Sequence, residues 1–169
     1  MTKNPQKILE GRYQVVPRAI IFIFKDGSVL LQKASETKKI FPGCYNGIGG
    51  HIERGESVLD GAVRELYEET GLACEDLQLA GTLMIDVQPQ QGILLFVLTG
   101  TQTLGELKGS EEGSLHWIPT AELVSLKVVE DVPELVIRVL EFRDTGKLFF
   151  GKYHYDEDGN RHATWFTHP

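Results

Sequence analysis

The chain has 169 residues, 41% of them apolar and 24% charged, which predicts one folded domain over residues 1–169 and argues against disorder. A formal net charge of −7 excludes a surface built to grip polymeric nucleic acid, but leaves room for a small polyanion held by local cations or a metal ion. Cys44 and Cys74 have no metal-ligand spacing and are expected as reduced thiols. The start is polar, and no apolar run approaches the ~20 residues of a membrane span, so a soluble, cytoplasmic protein is expected.

Ala19 to Phe24 reads as a buried strand, Lys25 to Ser28 as a turn, and Val29 to Gln32 as the returning strand. A lysine-rich polar stretch leads to four glycines between residues 43 and 50, a density that implies tight turns or close backbone approach. Ser57 with Asp60 forms a capping box for a helix that Gly71 ends, with Leu59, Ala62, Val63 and Leu66 as its core stripe. Leu77 to Val87 and Gly92 to Gly100 read as a hairpin. His116 to Pro119 reads as a short strand, with Thr120 capping a brief helix. A second helix starts near Asp131, with Pro133 in its first turn and Leu135, Val136, Val139 and Leu140 facing the core. Leu148 to Tyr155 and Arg161 to Phe166 form a last hairpin around the acidic turn Asp156 to Asn160. The pattern predicts an α/β (α+β) fold: a mixed β-sheet sandwiched between helices.

At 100° per residue, Glu65, Glu68 and Glu69 share a face of the first helix, away from the stripe. Their repulsion costs an isolated helix roughly half to one kcal/mol, only partly offset by Arg54 and Arg64. Such a face is either a solvated acidic surface or a site for a hard cation, and Mg²⁺ suits carboxylate oxygens and phosphates.

Gly50, Glu56, Arg64-Glu65-Leu66, Glu68-Glu69 and Gly71-Leu72 complete the pattern G-x5-E-x7-R-E-U-x-E-E-x-G-U, with U aliphatic. A chance match is on the order of one in a billion windows at average residue usage. The pattern resembles the Nudix hydrolase family, whose loop–helix–loop holds divalent cations against a diphosphate. The resemblance implies Mg²⁺ (or Mn²⁺) as cofactor, with Glu65, Glu68, Glu69 and the Gly49 carbonyl as ligands. It also implies that Arg64 orients a helix glutamate, that Glu56 fixes the loop or an outer metal, and that Gly50 and Gly71 shape the box. Glu65 is the best candidate for the base that activates water. Ser57, Ser110 and Cys44 lack an activating partner, so a covalent route is not expected.

A narrower resemblance points to the branch that hydrolyses oxidised purine nucleoside triphosphates. Tyr45 to Gly50 is similar to its aromatic-Asn-Gly run, which makes Asn46 a candidate base contact. The loop Ser110-Glu111-Glu112 lies where that branch supplies a further metal ligand, which makes Glu112 the candidate with Glu111 as its competitor, and Glu130-Asp131 lies where the branch presents two acids to the purine edge. Lys33 is assigned to substrate binding. Val128 and Val129 stand where that branch has Trp and Pro, removing an expected stacking platform. Capping of the second helix is an equal reading for the acidic pair, and a turn role an equal reading for Asn46. Other substrates of the family, such as ADP-ribose or a dinucleoside polyphosphate, remain rivals. A nucleotide sensor without activity is disfavoured by the four intact box glutamates. The partner expected is a small nucleotide, not polymeric nucleic acid or membrane, in a monomer or homodimer.

Overall fold

The computed structural model describes residues 10–109 and 113–167. Strand β1 (Gln14–Lys25) turns through Asp26 and Gly27, both at positive φ, into β2 (Ser28–Ala34). That two-residue turn matches the twist of an antiparallel hairpin. After β3 (Tyr45–Asn46) come helix α1 (Val58–Thr70), β4 (Ala73–Cys74), β5 (Gln78–Gln88), β6 (Gln91–Gly100) and β7 (Thr103–Leu104). β8 (Gly113–Pro119), a 3-10 helix (Thr120–Ser125), α2 (Val132–Thr145), β9 (Phe149–Tyr155) and β10 (Arg161–Thr167) follow.

The main sheet runs β10-β9-β5-β6-β1-β2-β3, with β8 also paired to β2. β1–β6 and β5–β9 are parallel and the remaining pairs antiparallel, so the expected mixed sheet is present. Helices cover both faces. Leu135, Val136, Val139 and Phe142 of α2 pack with Phe22, Leu31 and Val97 on one side. Ala62 and Leu66 of α1 pack with Ile21, Ile23, Leu30 and Leu98 on the other. No described helix is long and apolar enough to cross a membrane.

Alternation along β1 sends odd-numbered residues toward α1 and even-numbered ones toward α2, which explains the unbroken buried run from Ala19 to Phe24. β1 also begins earlier than its apolar run suggested, because the parallel ladder to β6 starts at Gln14↔Gln91. Thr120 is not a cap: its hydroxyl donates to Gly27 O, and Pro119 occupies the N-cap position.

The stripe on α1 is corrected by half. Ala62 and Leu66 are buried, but Leu59 and Val63 are 49% and 44% exposed. The buried face is instead shared with Gly61, Glu69 and Thr70. Hydrophobicity alone misplaces the helix because two of its most buried positions, Glu69 and Thr70, are polar.

Candidate active site

The glycine-rich loop is fixed as a partial strand on β1. Ala19 N–H donates to Gly50 O (2.9 Å), Ile21 N–H to Ile48 O (2.7 Å), and Ile52 N–H to Pro17 O (3.1 Å). The carbonyls of residues 48 and 50 are thus taken by β1, which turns the intervening Gly49 carbonyl away from that ladder. Gly49 sits at φ 145°, and a Cβ there would run into the Ala19 carbonyl, so only glycine fits.

Helix α1 rises from this loop with both caps as expected. The Ser57–Asp60 capping box is formed, and Gly71 at φ 73° donates its N–H to Tyr67 O. Its carboxylates do not share one solvated face. Glu69 is 7% exposed and accepts from Gly49 N–H at 3.1 Å. Glu65 packs against Gly50 so closely that a Cβ on that glycine would fall 2.5 Å from Glu65 Oε1. Glu68 lies further round, with 59% of its side chain exposed.

Arg64 organises the rest. Its Nε and Nη2 donate to the two oxygens of Glu56 (2.7 and 3.1 Å), and its Nη1 to Glu65 (2.9 Å) and Glu68 (3.0 Å). Nη2 also donates to the His51 carbonyl (2.9 Å), tying helix to loop. A planar fork with five donors can serve three carboxylates at once. Glu56 accepts from Glu53 N–H as well (2.9 Å), and these bonds hold its carboxyl down at about 2.

Glu65 and Glu69, one turn apart, both border the Gly49–Gly50 loop, and carboxylate and carbonyl oxygens are the donor types that suit a hard divalent ion. Among the described residues, no three acidic, histidine or cysteine side chains already converge at metal-ligand spacing. Glu111 and Glu112 lie outside the described residues.

A cleft extends from the box in two lobes that share Arg18, Phe41, Asn46, Gly47, Gly49 and Val129. The first, about 300 Å³, continues past Ile85, Ile93 and Leu95 to Glu130, Asp131, Tyr153 and Tyr155. Asn46, which lines both lobes, accepts from Gly47 N–H through its Oδ1 (2.8 Å). Asp131 is 8% exposed and accepts from the Tyr153 hydroxyl at 3.2 Å. Burial, partly opposed by that bond, raises its carboxyl above the usual range. It occupies the N-cap of α2 but makes no side-chain cap bond, so the capping reading does not describe it. Glu130 accepts from Tyr155 (3.2 Å) and Arg161 (3.1 Å), and Arg161 also reaches Glu134 (3.1 Å).

Lys33 is not among the residues lining either lobe; its ammonium lies 5.8 Å over the Tyr45 ring, on the α2 side of β2. Both cysteines are free thiols, and burial followed by a bond to Asp76 pushes Cys74 up to about 12. Sequence reasoning missed Arg18, Phe41, Tyr153 and Tyr155. The tyrosines alternate along β9 with an outward His154, but only the parallel β5–β9 pairing brings that strand to the cleft.

The chain matches the NUDIX domain over residues 15–139. It is similar to the m7GpppN-mRNA hydrolase NUDT17 of Xenopus laevis, 40% identical over 43% of this chain but only 24% of that protein. The mouse oxidized purine nucleoside triphosphate hydrolase is 32% identical over 48% of this chain and 56% of its own length. The ADP-ribose pyrophosphatase of Methanocaldococcus jannaschii is 31% identical over 64% of this chain and 68% of its own. Among solved structures, a MutT protein from Bacillus halodurans superposes with a TM-score of 0.75 at 25% identity, covering 90% of this chain and 97% of that one.

Proposed function

The chain belongs to the Nudix family, and from that premise we propose that it hydrolyses a purine nucleoside triphosphate, oxidised purines included, to the monophosphate and pyrophosphate. The observation that carries the reading is the first lobe, which runs from the box loop at Gly49 and Gly50 to Asn46, Glu130 and Asp131. In this reading the phosphates lie at the box loop and the base lies between Phe41 and the tyrosines. Those aromatics offer an alternative to the platform that Val128 and Val129 cannot supply.

Mg²⁺ is the proposed cofactor, as Nudix hydrolases generally use divalent metal ions. Glu65, Glu69 and the Gly49 carbonyl would hold it, with Glu68 and, from its loop, Glu112 as further candidates. The chemistry supplied by a bound ion is charge neutralisation on the phosphate oxygens. Arg64 keeps Glu65 oriented, and Glu65 takes the proton from attacking water. At the base end, burial shifts Asp131 toward its protonated form, in which it can donate to an acceptor on the purine while the Asn46 amide donates beside it. Likeness to the ADP-ribose pyrophosphatase favours ADP-ribose as the second reading.

The deciding experiment is a Mg²⁺-dependent screen of purine, oxidised purine and pyrimidine triphosphates, ADP-ribose and dinucleoside polyphosphates, with products identified. Monophosphate plus pyrophosphate from purine triphosphates supports the reading. Turnover confined to ADP-ribose replaces it with the second.

A further inference from the structure

Gln32 is buried in β2, 8% exposed, and its Nε2 has no hydrogen-bond partner among the described residues. A buried amide donor left unpaired is costly, and such groups in a folded protein call for an explanation. Gln32 is among the residues that line the second lobe of the cleft, about 210 Å³, together with Glu69 and Gly49 of the box. Its position is well fixed. Gln32 pairs with Asn46 across β2–β3, which puts both amides on one face, and β8 closes over its stem so tightly that a Cβ at Gly113 would lie 3.2 Å from Gln32 Cγ.

The polar side chains that line this lobe are four with donors, Gln32, Arg18, Lys38 and Asn46, and one carboxylate, Glu69. Arg18 and Lys38 line the same lobe, and the Asn46 carbonyl is already engaged by Gly47 N–H, leaving its amide to donate. Facing them, Glu69 belongs to the end of the cleft that handles phosphate. Two cations and two amide donors in a space this small match the non-bridging oxygens of a phosphate chain better than a second nucleoside.

We propose that Gln32 is a specificity-determining residue that donates its Nε2–H to the terminal phosphates, the part that leaves as pyrophosphate. The assignment rests on reading the chain as a triphosphatase, and it makes the second lobe the feature that distinguishes triphosphates from ADP-ribose.

The test is binding of inorganic tripolyphosphate to the whole chain with Ca²⁺ in place of Mg²⁺, measured by calorimetry for the wild type and Gln32→Met. Methionine keeps the unbranched stem and removes the donor. The expected result is a tenfold or greater loss of tripolyphosphate affinity, unchanged ADP-ribose affinity, and a melting temperature in the absence of ligand that is equal or higher. Failure of the wild type to bind tripolyphosphate overturns the assignment, as does equal binding by both forms. An equal loss for tripolyphosphate and ADP-ribose overturns it too, since that marks a structural role. Because this readout needs no turnover, a substrate screen that refutes purine triphosphates leaves it decidable on its own terms.

Discussion

At the box end of the cleft, Glu56, Glu65 and Glu68 crowd around one guanidinium, and the bonds from Arg64 hold Glu56 down at about 2. At the base end, Asp131 lies out of water under Tyr153, and burial holds its carboxyl above the usual range. One chain thus holds carboxylates in two electrostatic settings, one kept charged by a guanidinium and one pushed toward its neutral form by burial. The difference shows that acidic residues acquire their roles from partners and burial, not from residue type.

The largest effect should come from Glu69→Gln. Glutamine can still accept the Gly49 N–H but cannot supply a negative charge to a cation. We expect a rate at least a hundredfold lower, on the order of 3 kcal/mol of activation free energy. The melting temperature without metal should stay within about 3 °C, equivalent to roughly 1 kcal/mol for a chain of this size. A variant keeping a tenth of the wild-type rate would remove Glu69 from the centre of the site.

Next comes Asp131→Ala at the other end. Loss of one hydrogen bond to a buried base costs ~1–3 kcal/mol, so kcat/KM for a preferred purine triphosphate should fall by about one to two orders of magnitude. A pyrimidine triphosphate should change little. Equal losses on both would assign Asp131 to structure rather than to base reading.

A smaller effect separates the two ends by pH. A carboxyl whose folded pKa is raised contributes stability that is complete at low pH and declines as pH rises through its folded value. Asp131→Asn should therefore raise the melting temperature relative to wild type more at pH 8 than at pH 4. For Glu56, whose folded pKa is lowered, the sign reverses. Its contribution is present above the ordinary glutamate value of about 4.3 and lost as pH falls toward 2. Glu56→Gln should flatten that part of an acid-unfolding curve, and an unchanged curve would remove Glu56 from the acid response.

The box end was legible because its parts lie within one loop and one helix, where spacing fixes geometry: caps at Ser57 and Gly71, glutamates one turn apart. Even so, periodicity misjudged which face of α1 is buried, since Glu69 packs inward and Val63 does not. The hairpins and α2 were readable from alternation and from Pro133. The two-residue strands β3, β4 and β7 were not, because nothing local specifies them and their partners lie elsewhere. The base end combines Ile85, Ile93, Asp131 and Tyr153 from four elements, and the parallel pairings that gather them leave no sequence signal. Gln32 looked like the tail of an apolar strand.

The parallel seating of β1 beside β6 carries a consequence for the order in which the chain folds. The glycine loop is bonded to one edge of β1, while the opposite edge waits for residues 91–100, which lie far from β1 in the chain and beyond the box. Contacts this remote in sequence close slowly, on a scale of milliseconds to seconds. The box should therefore remain unassembled until the centre of the sheet closes. Pulse-labelled hydrogen exchange during refolding can check this. The amides of Ala19 and Ile21, which the loop protects, should become shielded in the same phase as those of β6, and earlier shielding would show that loop and strand form a unit of their own.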